Sequence, residues 1–320
     1  IVPEFTADTQ FKLDASRLLE QLAEAQAQGV KAKPVIIGPV TYLALGKAKD
    51  ESNKLALLDR LLPVYVQLLD TLAKAGVEWV QIDEPVLVLD LPQEWQDAFR
   101  RVYQDLNQSG LKLLLATYFD DLHENVTVLK DLPIAGVHVD AVRAPAALQA
   151  VQAVLGQDQV LSAGVISGRD IWRTDLEKTL QTLEPLKAAL GERLWIAPSC
   201  SLLHVPIDVA LEADLDAELK SWLAFSVQKM AELATLGEAL ARGRASVADA
   251  VDASAKAAAA RKMSPKVHDA KVSARIAAVT SDMARRKRVF ADRASLHDRK
   301  SAALVHSPAV WQAVGIAASR

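Results

Sequence analysis

Six short apolar runs recur along the chain, at residues 34–37, 77–82, 111–116, 134–139, 159–163 and 193–197, each followed by a stretch with helical spacing. Near-continuous apolar runs of this length suit parallel strands buried on both faces. Strands that alternate with helices in this way predict an α/β fold. The commonest closed arrangement of such units has eight of them. The pattern therefore predicts an incomplete TIM-type (β/α)8 barrel of about six units, with two further units expected upstream of Ile1. The chain also opens on Ile rather than Met, so the expectation is a piece of a larger protein.

Between the runs, the period changes to that of a helix. Leu18, Leu19, Leu22 and Ala25 form one apolar stripe, and Gly29 is placed to stop that helix. Leu55, Leu58, Leu62, Tyr65, Leu69 and Leu72 form another over 52–75, with Gly76 as a left-handed cap and Pro63 expected to kink the helix. Past residue 210 the chain is dominated by Ala, Leu, Glu, Lys and Arg, all good helix formers. A long helix is expected over 211–241, closed by Gly243, followed by an Ala-rich stretch at 255–260. The domain reading is a partial barrel over 1–210, a long helical segment over 211–300, and an atypical tail over 301–320 with neither period.

Composition narrows the class. Net charge is −3 and 51% of residues are hydrophobic, enough for a substantial core without bulk attraction to nucleic acid or membrane. The basic run Arg285-Arg-Lys-Arg288 has no interleaved aromatic residues and reads as a solvated helical face. Neither nucleic acid nor membrane is expected as a partner, since no apolar stretch approaches the length of a span. Cys200 is the single cysteine, which excludes an internal disulfide framework and fits a cytoplasmic location.

In a barrel of this type the chemistry lies at the carboxyl ends of the strands. Residues two apart on a strand share a face, so Gln81 pairs with Asp83, and His138 with Asp140. Asp83 and Glu84 offer carboxylates for proton transfer or substrate binding, or serve only to cap a loop. His138 beside Asp140 reads as an oriented base, a metal ligand or a satisfied core histidine. Cys200 with His204 is too small a set for zinc. Composition and spacing alone name no reaction.

Several segments taken in order carry more. Ile1-Val-Pro-Glu-Phe5, Lys33-Pro-Val-Ile-Ile-Gly-Pro-Val-Thr41, Glu78-Trp-Val-Gln-Ile-Asp-Glu-Pro85, Leu161-Ser-Ala-Gly-Val-Ile-Ser-Gly-Arg169 and Ser199-Cys-Ser-Leu-Leu-His204 occur at matching intervals in one family. Together they resemble the amino-terminal barrel of cobalamin-independent methionine synthases, the 5-methyltetrahydropteroyltriglutamate–homocysteine methyltransferases. The likeness runs from Ile1 to about Arg299. It implies methyl transfer from a methylated folate polyglutamate to homocysteine, in an enzyme of two face-to-face barrels. Zinc is implied in the second barrel, where it lowers the pKa of the homocysteine thiol, and no cofactor is expected in this chain.

The two barrels are regarded as a duplication, and the resemblance carries further on that basis. Gly38-Pro-Val-Thr41 and Gln81-Ile-Asp-Glu-Pro85 look like counterparts of segments in the catalytic barrel, where the corresponding aspartate contacts substrate; Asp83 takes that place. By segment order, Ala116-Thr-Tyr118 matches the family's His-x-Cys zinc pair, Asp140 its glutamate and Cys200 its later cysteine. The pair is absent here, so Cys200 would be the remnant of a vestigial site. The implied substrate-binding candidates are Asp83, Glu84, His138 and Asp140, with no catalytic residue and no metal ligand. An inactive chain on its own is the expectation. A folate-binding or scaffold module and an independent barrel methyltransferase are the alternatives.

Overall fold

The computed structural model describes residues 2–295 apart from Asp131, Arg286, Lys287 and Phe290, so the 301–320 tail lies outside the described residues. The described residues divide into two units, one up to Arg261 and one from Lys262 onwards. Eight strands are described in the first unit. Two short ones, β1 (Glu4–Phe5) and β3 (Lys47–Ala48), pair in parallel with each other. The other six are β2 (Val35–Ile37), β4 (Trp79–Asp83), β5 (Lys112–Ala116), β6 (Gly136–Asp140), β7 (Val160–Ile166) and β8 (Leu194–Pro198). They form one sheet in the order β2-β4-β5-β6-β7-β8, parallel throughout. Every apolar run seen in the sequence is a strand of this sheet.

Sequential order in a parallel sheet requires each crossover to return on the same side. The helices that do so include α3 (Leu58–Lys74), α4 (Gln93–Leu106), α6 (Ala147–Gln152) and α7 (Leu176–Leu190). α3 buries Leu58, Leu61, Leu62, Tyr65, Leu69 and Leu72, the stripe read from the sequence with Leu61 added and without Leu55, which lies half-buried in the 3-10 turn Lys54–Leu57 before the helix. α4 buries Ala98, Phe99, Val102, Tyr103 and Leu106. Against them lie Val80 and Ile82 of β4, Leu113 and Leu115 of β5, and Val137 and Val139 of β6, all essentially inaccessible. Each such aliphatic side chain contributes on the order of 1.5–3 kcal/mol by leaving water.

The opposite face of the sheet is concave. Trp79 on β4 and Trp195 on β8 are separated by three intervening strands, yet their ring centroids lie 4.6 Å apart. Only a rolled sheet brings those side chains together, so the sheet is a barrel wall. On its β2 edge Val35 and Ile37 stay 51% and 41% exposed, which leaves an apolar face and a row of backbone groups uncovered.

Short helices sit between the larger ones. α1 (Ser16–Ala27) is closed by Gly29 at φ +75°, and Gly76 at φ +79° follows α3, a region in which a side chain is strained. α2 (Pro39–Leu45) follows β2 directly, with Pro39 at its first position. α5 (Val126–Leu129) is a single turn.

The expected helix over 211–241 is corrected. Val209–Leu211 is a 3-10 turn, α8 (Ala217–Ser221) is brief, and the long helix α9 (Ser226–Arg242) starts only at Ser226. A tertiary pairing overrides propensity here. Arg173 N donates to Trp222 O and Ala224 N to Ile171 O, so Leu223 is bridged antiparallel to Trp172 and the helical run is broken there. Gln228 Oε1 then accepts from Phe225 N at 3.2 Å and fixes the start of α9. α10 (Ala248–Met263) carries the Ala-rich stretch, and Leu236, Ala239 and Val251 from this helical part join the main apolar core. In the second unit, Asp269 caps α11 (Ala270–Ala277) by accepting from Lys271 N and Val272 N.

Candidate functional site

Because side chains two apart on a strand share a face, the sheet register defines what lines the concave side. One row reads Asp83, Ala116, His138, Ser162 and Trp195 across β4 to β8. The next, nearer the carboxyl ends, includes Asp140, Gly164 and Ala197. Asp83, His138 and Asp140 are therefore brought to one concave surface, as the pairing of strand positions predicted.

Asp83 sits in a polar chain. Lys33 Nζ donates to Gln81 Oε1 at 2.9 Å, and Gln81 Nε2 donates to Asp83 Oδ1 at 2.8 Å. Burial pushes the Asp83 carboxyl up, while the Tyr118 hydroxyl, Gln81 and the Lys33 charge pull it back. Lys33 itself is pushed down by burial and held partly up by Asp83. Tyr118 is pushed up by burial and by that same carboxylate, so its hydroxyl stays protonated as a donor.

Glu84 points the other way. It is wholly buried, with Oε2 accepting from Thr41 N at 2.8 Å at the start of α2, and the Tyr103 hydroxyl 3.5 Å from Oε1. A Cβ on Gly38 would fall 2.0 Å from its Cδ, so glycine is what lets the carboxylate reach α2. Burial raises its pKa to about 7, opposed chiefly by the bonds to Thr41. This side chain ties β4 to α2 and has no access to the concave surface.

His138 is equally committed. Its Nε2 lies 3.2 Å from Ser199 O and its Nδ1 3.0 Å from Ser162 Oγ. A carbonyl can only accept, so Nε2 carries the proton and Nδ1 accepts from the serine. Burial pushes its pKa down to about 4, against the raising effect of the Ser199 carbonyl. A Cβ on Gly164 would lie 3.0 Å from the ring and 2.6 Å from Val139 O, so glycine is needed for this packing.

Asp140 accepts at Oδ1 from Val142 N and Arg143 N, at 3.1 and 3.0 Å. Its Oδ2 is buried with no partner among the described residues. Burial raises this carboxyl, against those two amides and the charges of Arg143 and Arg169. Cys200 is half-buried, and burial raises its thiol further than Ser199 and Arg169 lower it. Arg169 stacks over Phe119 at 4.6 Å. Asp140 and Cys200, far apart in sequence, thus share the field of one guanidinium.

Lys33, Tyr118 and Arg169 were not singled out from the sequence. Lys33 immediately precedes the first strand run and Arg169 ends the Leu161–Arg169 motif, so position alone could have flagged both. Tyr118 ends the Ala116–Tyr118 segment that the resemblance set against the zinc pair, which marked its place but gave it no role.

Comparison with known proteins places this geometry. Residues 1–191 match the family described as cobalamin-independent synthase, N-terminal domain. The chain belongs to that family. Over 300 residues it is 59% identical to a 5-methyltetrahydropteroyltriglutamate–homocysteine methyltransferase of Nitrobacter winogradskyi, covering 92% of this chain and 39% of the relative. The chain therefore spans about two-fifths of that relative's length. Among solved structures, a B12-independent methionine synthase from Shewanella sp. W3-18-1, in complex with selenomethionine, aligns with a TM-score of 0.54 at 13% identity. That alignment covers 78% of this chain and 71% of the other. A vitamin-B12 independent methionine synthase, so described as putative, from Listeria monocytogenes aligns at 0.50 with 16% identity, over 62% and 67% of the two chains. At these identities the two structures bear on the fold alone, and both agree with the α/β barrel wall.

Proposed function

We propose that this chain is the amino-terminal barrel portion of a methyltransferase that moves the methyl group of 5-methyltetrahydropteroyltriglutamate to homocysteine, and that it does not catalyse the transfer alone. The observation that carries the reading is 59% identity to the Nitrobacter relative across 92% of the chain. Folate polyglutamate and homocysteine are then the ligands of the intact enzyme, with a second barrel of the same polypeptide as the partner and the cytoplasm as the location. Residues 1–210 supply the barrel wall and 211–300 the helical connection towards the second barrel.

The donors in this chain do not fit zinc. Thiol activation needs a metal with deprotonated ligands, normally four in a structural site and three plus substrate in a catalytic one. Cys200 is pushed towards the neutral thiol, both nitrogens of His138 are engaged, and no three His, Cys, Asp or Glu side chains converge among the described residues. The zinc of the intact enzyme is therefore assigned to the second barrel. Of the four substrate-binding candidates, Asp83 keeps the role with a half-buried carboxylate on the concave side, whereas Asp140 lies on that side but is buried, with Oδ1 held by two backbone amides. Glu84 and His138 are assigned to holding the wall together.

The test is direct. Purified chain supplied with 5-methyltetrahydrofolate triglutamate, homocysteine and zinc should make no methionine, and after dialysis should hold well under one zinc per molecule. Turnover abolished by Asp83→Asn, or stoichiometric zinc lost in Cys200→Ser, would overturn the proposal.

A further inference from the structure

The segment that follows β8 turns large aliphatic side chains to water in a regular way. Leu203, Ile207 and Leu211 are 82%, 72% and 74% exposed, whereas Val205 and Val209 between them are buried. The buried pair packs with Leu223 and Phe225 in a small apolar cluster of its own. Outward and inward positions thus alternate from Leu203 to Leu211, and the outward ones are as aliphatic as the inward ones. The start of α9 extends this surface. Val227 N donates to Ile207 O at 3.0 Å, and Val227 and Met230, both exposed, are neighbours on the helix. Single apolar residues scattered over a surface need no explanation, but a grouped set marks an interaction site.

The surface is fixed in shape. Ser226 Oγ donates to Leu202 O and Val205 O, each at 3.2 Å, and Ser226 N donates to Pro206 O at 2.9 Å. Gln228 Nε2 donates to Asp208 Oδ1 at 2.7 Å, and Gln228 Oε1 accepts from Val209 N at 3.2 Å. A surface ordered in advance loses little freedom on binding. The charge along the segment has one sign. Residues 203–218 contain Asp208, Glu212, Asp214, Asp216 and Glu218 and no Lys or Arg, and Glu212 and Asp214 are exposed. An apolar centre beside carboxylates is complementary to an apolar protein face rimmed by Lys and Arg.

We propose that the surface made by Leu203, Ile207, Leu211, Val227 and Met230 is covered, in the intact enzyme, by an apolar patch with a basic rim on the rest of the polypeptide. This rests on the reading of the chain as one portion of the methyltransferase. The chain spans 39% of the Nitrobacter relative, so about three-fifths of that polypeptide is left to supply the covering surface. The surface also lies where the chain passes from the last sheet strand into α9 and α10, the elements assigned to the connection towards the second barrel. Burial there gives the three outward aliphatic side chains the same role that Val205 and Val209 have on the inner side.

Hydroxyl-radical footprinting read by mass spectrometry tests this, on the chain alone and on a full-length chimaera in which residues 1–295 replace the corresponding segment of the Nitrobacter relative. Oxidation of Leu203, Ile207, Leu211 and Met230 should be at least about five-fold slower in the chimaera, as for side chains moved from water into an interface core. Carbodiimide should couple Glu212 or Asp214 to a lysine outside residues 1–295. Equal oxidation in the two proteins, or coupling only within residues 1–295 or between two copies, would overturn the assignment. Should the chimaera not fold, the aligned positions of the Nitrobacter relative itself are footprinted instead, and oxidation there at the rate of exposed side chains would overturn it. A chimaera that shows the protection but forms no methionine overturns the functional reading alone. One that forms methionine without the protection overturns this assignment alone.

Discussion

Replacing His138 with Gln should change how stability depends on pH, in a direction that the buried imidazole fixes. Burial lowers the His138 pKa from the usual 6.5 to about 4. Between those values the unfolded chain binds a proton that the folded chain refuses. The contribution of neutral His138 is therefore fully present above the unfolded value and is lost as pH falls towards 4. On going from about pH 7.5 to about pH 5, the linkage relation gives a loss of about 2 kcal/mol. Glu84 acts in the opposite sense. Its pKa rises from 4.5 to about 7, so the folded chain holds a proton that the unfolded chain releases. Its contribution is present below 4.5 and is lost as pH rises through 7, amounting to a gain of about 2.5 kcal/mol over the same acidification. In the wild-type protein the two nearly cancel, and substitution exposes each. Urea unfolding followed by tryptophan fluorescence at both pH values is the assay. Relative to wild type, His138→Gln should gain about 2 kcal/mol on acidification, and Glu84→Gln should lose about 2.5 kcal/mol. Parallel pH profiles for wild type and His138→Gln would refute the assignment of a buried, doubly bonded neutral imidazole.

Other expectations follow from single contacts. Gly38→Ala, whose Cβ would lie 2.0 Å from Glu84 Cδ, should lower stability by about 1–3 kcal/mol in urea unfolding. A double-mutant cycle of Trp79→Ala and Trp195→Ala should show coupling of about 1 kcal/mol, and strictly additive effects would argue against a rolled sheet. Because burial raises the Cys200 thiol, iodoacetamide should modify it more slowly at neutral pH than it modifies free cysteine, and an equal or faster rate would contradict that environment. The exposed β2 edge should make the chain self-associate in sedimentation velocity, and Ile37→Lys should suppress this.

The parts of the fold that repeat a simple period were legible. Each of the six apolar runs became a sheet strand within a few residues, because a strand buried on both faces needs only apolar side chains over its length. The stripe of α3 and the stops at Gly29 and Gly76 followed from periodicity and from the φ that glycine permits. The start of α9 was not legible, because the helix-forming residues at 211–225 are overruled by the pairing of Leu223 with Trp172, about fifty residues away in sequence. The site was half legible. Strand alternation placed Asp83, His138 and Asp140 on one surface, yet nothing local distinguished Glu84, which turns to α2, from Asp83 beside it. That distinction depends on Gly38 and Thr41, which only the packing of β2 against β4 brings near.

The claim that this chain is a working amino-terminal portion of the methyltransferase is tested most directly by exchange. Residues 1–295 would replace the corresponding segment of the full-length Nitrobacter relative, and methionine formation from 5-methyltetrahydrofolate triglutamate would be measured beside the parent enzyme. Activity within about ten-fold of the parent is expected, a barrier change of no more than about 1.4 kcal/mol. A chimaera that folds and binds zinc like the parent, yet transfers no methyl group, would contradict it.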